Sequence, residues 1–198
     1  AASEYFNDLF WITNPAYFYN MQNFQYTQDT IDAELKKSKE DFILHFQSAY
    51  TDSYPPAWMI AEILPLGMLC RIYTNLKDNV IKKRIAQHFG LQVPVFSSWI
   101  VILAGLRNMC CHHCRTWNRE LAVITTEPRR TQFGWINSSR TDKRRMYYRI
   151  CMIRYFLFTV SPGNTFEDKL KALLAAYPNI DTRAMGFPVG WENEDIWK

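Results

Sequence analysis

The chain has 198 residues, enough for one well-buried domain and too few for two large ones. Its 48% apolar and 21% charged content is ordinary for a soluble globular protein, and only seven Gly argue against a fold built on tight hairpins. The net charge of +4 hides an asymmetry: residues 107–154 hold eleven Lys/Arg against three Asp/Glu, a net of +8 that leaves −4 for the remainder. Ten of those eleven bases are Arg, whose planar fork matches phosphate oxygens better than the point charge of Lys does. Such a block points to a polyanion partner, with a solvated basic face as the plain alternative.

In chain order, residues 1–26 read as an irregular aromatic segment carrying Tyr5, Phe6, Phe10, Trp11, Tyr17, Phe18 and Tyr19, with Pro15 as a helix stop. From Thr27 the pattern turns helical, with Ile31, Leu35, Phe42 and Phe46 recurring at helical spacing. An apolar helix follows Pro55 and Pro56, and Pro65 should kink or interrupt it. The stretch NVIKKRIAQHF reads as a short helix ending at Gly90. A long helix is expected from Ser97 or Ser98, as cap, through Arg119. Residues 121–140 read as loop. Thr141 or Asp142 should open a further helix stopped by Pro162 and Gly163, and FEDKLKALLAAY a last one stopped at Pro178. The tail MGFPVGWENEDIWK has aromatics without periodicity. The reading is an all-α fold of five or six helices, with a single helical domain over 27–198.

Five Cys, two of them adjacent, form no disulfide framework and suit a reducing compartment, hence a cytoplasmic protein. The first residues show no signal-peptide pattern, and no apolar run reads as the roughly 18 residues of a membrane span. With no initiator Met, the chain is expected to be part of a longer one.

The stretch 106-LRNMCCHHCRTWNR-119 concentrates the reactive side chains. On a helical wheel of about 100° per residue, Trp99, Leu103, Leu106, Cys110 and Trp117 share a core stripe. Asn108, His112, Arg115 and Arg119 then form a polar stripe opposite, while Val101, Ala104 and Gly105 give that back face small and apolar residues. Several chemistries compete. Zinc needs four converging ligands, and consecutive Cys110 to Cys114 fan out around a helix with no second pair elsewhere. A Cys–His nucleophile lacks any mark of an activated thiol. A plain solvated face is the bland option. The remaining one is phosphate chemistry, since His transfers protons near neutral pH and Arg stabilises extra charge on phosphorus. RNA cleavage through the 2′-OH needs no metal, because the nucleophile is part of the substrate.

Arg107-Asn108-Met109-Cys110-Cys111-His112 resembles the R-polar-x-x-x-H motif of HEPN domains. The strings 39-KEDFILHF, 54-YPPAWMIAEILPLG, 84-RIAQHFGL, 98-SWIVILAGLRNMCCHHCRTWNREL and 184-AMGFPVGW resemble, in order from about Ser38 to the C-terminus, the Abi family of bacterial abortive-infection proteins, of the AbiD/AbiF kind. The resemblance implies a HEPN-like helical bundle that cleaves RNA as a homodimer, without cofactor or metal, in phage defence or a toxin–antitoxin system. It implies catalytic roles for His112 (proton transfer), Arg107 (phosphate binding and charge stabilisation) and Asn108 (orienting the pair). His113, Arg115, Asn118 and Arg119 match the family's H-x-R-x-W-N-R extension and are expected to bind RNA. From the basic block, Arg144 and Arg145 are expected to bind RNA too. A small RNA or a protein is the expected inhibitory partner. The family pattern also implies a helical region ahead of residue 1. Cys111 and Cys114 stand where it has small or polar residues, and Leu64-Pro65-Leu66 departs from it.

Overall fold

The computed structural model describes residues 7–198; Tyr5 and Phe6 of the aromatic segment lie outside the described residues. The described residues form eight α-helices and no strand, the all-α class expected from the sequence. They divide into two compact units, one running through Arg84 and the other from Ile85 to Lys198.

In the first unit, α1 (Met21–Lys37) begins six residues before Thr27 because Asn20 caps it, its side chain accepting from Asn23 N at 2.9 Å. A Ser38-Lys39-Glu40 break separates α1 from α2 (Asp41–Ala49), so one expected helix is two. Pro65 divides the next apolar stretch into α3 (Ala57–Ile63) and α4 (Leu66–Asn75), since Pro lacks the donor a continuing helix needs. α1 packs against α3 and α4, and Ile31 of α1, Ile43 of α2 and Ile60 of α3 are wholly buried. Asn75 exchanges two hydrogen bonds with the Asn20 backbone, which fixes the start of α1 to the end of α4. The boundary between the units falls inside α5 (Asn79–His88), and Gly90 closes that helix in a left-handed conformation, as its sequence position predicts.

The second unit is organised by α6 (Val93–Cys111) and α7 (Met146–Val160), with α8 (Phe166–Ala176) joined to α7 through the Arg154–Glu167 ion pair at 2.7 Å. α6 starts at Val93, with Pro94 in its first turn, and not at Ser97 or Ser98; the Ser98 hydroxyl instead accepts from Thr126 N. Trp99, fully buried, donates from its indole N–H to Thr126 O at 3.0 Å and packs against Trp135, Tyr155 and Phe156. α6 has the length and composition to cross a membrane, contrary to the sequence expectation. Its Trp99, Ile102 and Leu106 nevertheless pack into this unit's core, as a core helix requires.

α7 begins at Met146, not at Thr141 or Asp142, because residues 142–145 form a turn in which the Asp142 side chain accepts from Arg144 N. The C-terminal segment folds back in three short 3-10 turns. It closes around the fully buried Tyr147 with Phe187, Trp191 and Trp197. Trp197 Nε1 donates to Tyr147 Oη at 3.0 Å, and that hydroxyl donates to Glu194 Oε2 at 3.1 Å. Gly134 lets the loop approach this segment, since a Cβ there would stand 2.3 Å from Asp195 O.

Candidate functional site

The polar cluster stands where α6 stops. The helix ends at Cys111 and does not run on to Arg119. His113 adopts φ +52°, with His113 N donating to Cys110 O at 3.1 Å and Cys114 N to Met109 O at 2.9 Å. These are the two bonds of a Schellman stop, which usually employs Gly at the left-handed position. A β-carbon there is unfavourable by about 1 kcal/mol, so the turn must be held by its surroundings. The stop corrects the wheel beyond Cys111. Arg115 and Arg119 do not continue a helical stripe with Asn108 and His112, Cys110 is exposed, and Trp117 is half-buried.

Arg107, Asn108 and His112 are all exposed at this end of α6. Arg107 Nη1 donates to Asn108 Oδ1 at 3.4 Å, so Asn108 orients the guanidinium directly. His112 caps the helix through its backbone, donating to Asn108 O at 3.0 Å. Its ring makes no hydrogen bond among the described residues. His113 is likewise exposed, and Arg119 Nη1 donates to Arg115 O at 3.4 Å.

A second group forms farther on. Asn118 adopts φ +43° and its Oδ1 accepts from Arg145 Nη1 at 3.2 Å, while Leu121 N donates to Arg144 O at 2.8 Å. Asn118, Arg144 and Arg145 are thus brought together by these bonds. No hydrogen bond or ion pair among the described residues joins them to Arg107, Asn108 or His112.

The charge of the basic block is partly spent inside it. Arg144 pairs with Glu120 at 2.7 Å, Arg145 with Asp142 at 3.6 Å, and Lys143 with Glu127. The Glu120 carboxylate holds the Arg144 guanidinium above its usual range, and Lys143 holds the Glu127 carboxyl below its own. All three acids of residues 107–154 are therefore engaged. Arg107, Arg115, Arg119, Arg129 and Arg130 remain exposed, with no carboxylate partner among the described residues, whereas exposed Arg140 acts on the Glu194 carboxyl. The surplus left by this pairing is what an incoming phosphate chain would meet.

All five cysteines are free; Cys110, Cys111 and Cys114 are exposed, whereas Cys70 and Cys151 are buried. Among the described residues no group of three or more Cys, His, Asp or Glu is placed to hold a metal ion.

Sequence reasoning counted Arg149 only as one more base of the Arg-rich block, near a helix start. Arg149 is 1% exposed on α7, donates to Val123 O and contacts Met152 Sδ at 3.8 Å. Its signal was present: a single Arg inside the otherwise apolar run MYYRICMI.

A family model described as Abi-like protein matches residues 1–118 of the chain. The matched span opens well ahead of Ser38 and closes at Asn118, so it contains Arg107–His112 but not the 184-AMGFPVGW string. No curated protein and no solved structure matches the chain.

Proposed function

The chain belongs to the Abi-like protein family, which points to abortive infection and phage defence; from that premise we propose that it is a metal-independent endoribonuclease with a HEPN-type site at the C-terminal end of α6. The observation that carries this reading is the exposed Arg107–Asn108–His112 group at the end of α6, in a chain whose exposed Arg115 and Arg119 have no carboxylate partner among the described residues.

In the proposed reaction His112 takes the proton from a ribose 2′-OH. The 2′-oxygen attacks the adjacent phosphorus, and Arg107 stabilises the charge on the non-bridging oxygens. A protonated His releases its proton to the departing 5′-oxygen, so the products are a 2′,3′-cyclic phosphate and a 5′-hydroxyl. Arg107 and His112 stand five residues apart, about 140° around a helix, and do not face one way. A homodimer resolves this by joining the Arg of one copy to the His of the other. His113, Arg115, Asn118, Arg119, Arg144 and Arg145 would hold the RNA backbone. Such a nuclease needs restraint, which a small RNA or protein partner of a toxin–antitoxin pair would supply. The three exposed thiols suit the reducing cytoplasm.

RNA incubated with the protein in EDTA should be cut, and both His112→Ala and Arg107→Ala should abolish cutting while leaving the circular dichroism spectrum unchanged. Cleavage that survives both substitutions at matched purity would remove this site assignment. A second reading is a non-catalytic RNA-binding module, favoured by the His112 ring, which lacks the hydrogen-bonded partner that usually orients a general base. Intact RNA after long incubation, with binding that weakens as salt rises, would select it.

A further inference from the structure

Two distant stretches of the first unit meet edge to edge. Phe18 and Leu76 pair as an antiparallel bridge, in which Tyr19 N donates to Asn75 O at 2.9 Å and Lys77 N to Tyr17 O at 2.8 Å. Phe18 and Leu76 are each 3% exposed. Side chains alternate along extended backbone, so the residues that follow them turn outward. Tyr19 is accordingly 83% exposed, and Lys77 is exposed as well. The backbone that carries Tyr19 is fixed by the bridge on one side and by the Asn20–Asn75 bonds on the other. A ring held this firmly in water contributes no burial to the fold.

Tyr19 and Lys77 line a groove of about 600 Å³ at the start of α1, the end of α4 and the start of α5. Asn23, Thr74, Asn79 and Lys82 give it polar walls, and no carboxylate lines it. Lys82 is held in place, donating from Nζ to Thr74 O at 3.0 Å, which leaves further N–H groups for an anion. Arg71 adds a third cation at the wall, donating from Nη1 to Asn23 Oδ1 at 2.8 Å. Residues 71–84 hold five Lys/Arg against one Asp, a net of +4. That one acid is occupied, since the Asp78 carboxylate accepts from Val80 N and Ile81 N at the start of α5. An acidic peptide would use the cations and leave the ring idle. An unpaired nucleic-acid strand uses every part: phosphates meet the cations, a base face meets Tyr19, and base edges meet the Asn carboxamides.

We propose that this groove is a contact site for single-stranded nucleic acid, in which one base stacks on Tyr19 and the flanking phosphates meet Lys77 and Lys82. Every base has a π-face, so the site accepts any sequence, whereas a duplex keeps its base faces stacked and is disfavoured. The ring and the Lys82 ammonium are in place before the strand arrives, so little ordering cost is left to binding. The site is built wholly from the first unit and does not rest on the ribonuclease reading. A strand binds here whether or not it is cut.

The test is fluorescence anisotropy of a short labelled 2′-O-methyl RNA strand, which has no 2′-OH to attack and stays intact. It is titrated with the whole chain and with three variants at exposed positions, Tyr19→Ala, Tyr19→Phe and Lys77→Gln. Tyr19→Ala should weaken binding roughly tenfold, the loss of one stacked base, and Tyr19→Phe should match the parent because the ring remains. Lys77→Gln should reduce the slope of log affinity against log salt by about 0.7. Irradiating the same strand carrying a 2′-O-methyl 4-thiouridine should crosslink it to the peptide that contains Tyr19. Parent-like binding by Tyr19→Ala would overturn the assignment, as would equal losses in Tyr19→Ala and Tyr19→Phe. So would an unchanged salt slope in Lys77→Gln, or crosslinks confined to the second unit. Polyglutamate that binds as tightly as the strand, and loses as much in Tyr19→Ala, would give the groove to an acidic peptide instead. Cleavage of unmodified RNA in EDTA separates the two proposals. The Tyr19 crosslink without cleavage keeps this site and sinks catalysis, whereas cleavage without the crosslink does the reverse.

Discussion

Replacing Trp197 should unfasten the C-terminal segment from the second unit. The indole is 2% exposed, crosses Trp191 at a ring distance of 5.1 Å and donates to Tyr147 Oη at 3.0 Å. Trp197→Ala deletes a buried aromatic and leaves a cavity, at a cost of about 3–5 kcal/mol. Trp197→Phe keeps most of the apolar contact and removes only the N–H, at a cost of about 1 kcal/mol, because Tyr147 still donates to Glu194. A domain's whole stability is roughly 5–15 kcal/mol, so the alanine variant sacrifices a large share of it. At about 3–6 °C per kcal/mol, its melting temperature should fall by roughly 10–30 °C, and that of the phenylalanine variant by a few degrees. Thermal melts followed by near-ultraviolet circular dichroism report the packing of the buried aromatics, among them the Tyr147, Trp191 and Trp197 cluster. An alanine variant melting within about 3 °C of the parent would show that the segment does not belong to this core. So would equal losses in the two variants.

Two further outcomes follow from charges in the same unit. Burial raises the Glu194 carboxyl above the usual carboxylate range, against the stabilising Tyr147 hydroxyl, so the folded chain binds this proton more tightly than the unfolded one. The group therefore adds stability below its unfolded pKa of about 4.3, and that contribution is lost as pH rises through the folded value. Glu194→Gln should thus gain on the parent in urea melts between pH 4 and pH 7, and a gap that stays constant or shrinks would contradict it. Glu120→Gln should free Arg144 from its ion pair. The slope of log affinity for single-stranded RNA against log salt should steepen by about 0.7, and an unchanged slope would mean that Arg144 never reaches the RNA.

What the sequence disclosed was whatever depends on near neighbours. Pro65 breaks a helix through its own missing donor, and Gly90 ends one through its own backbone freedom, so both were visible in a few letters. Arg107, Asn108 and His112 were equally legible, lying within six consecutive residues at one helix end. The end itself was hidden, because His113 occupies a left-handed position where Gly is the usual marker. The aromatic tail was opaque for a different reason. Its turns follow Tyr147, some 50 residues earlier in the chain, and not any period of their own. The pairing of Arg144 with Glu120, and the bond from Arg149 to Val123, likewise depend on where the chain between α6 and α7 returns.

That returning segment has a consequence of its own. Between Cys114 and Met146 the backbone has no α-helix, and the segment is held mostly by side chains, through the Trp99–Trp135 stack, the Ser98–Thr126 bond and the Arg149–Val123 bond. Exposed Arg129 and Arg130 lie between the first and last of these anchors. Opening the chain there would sever a covalent thread while the contacts on either side still hold the two pieces together. A chain opened at Arg129–Arg130 is therefore expected to reassemble from two complementing fragments, and failure of the co-expressed pieces to copurify would contradict it.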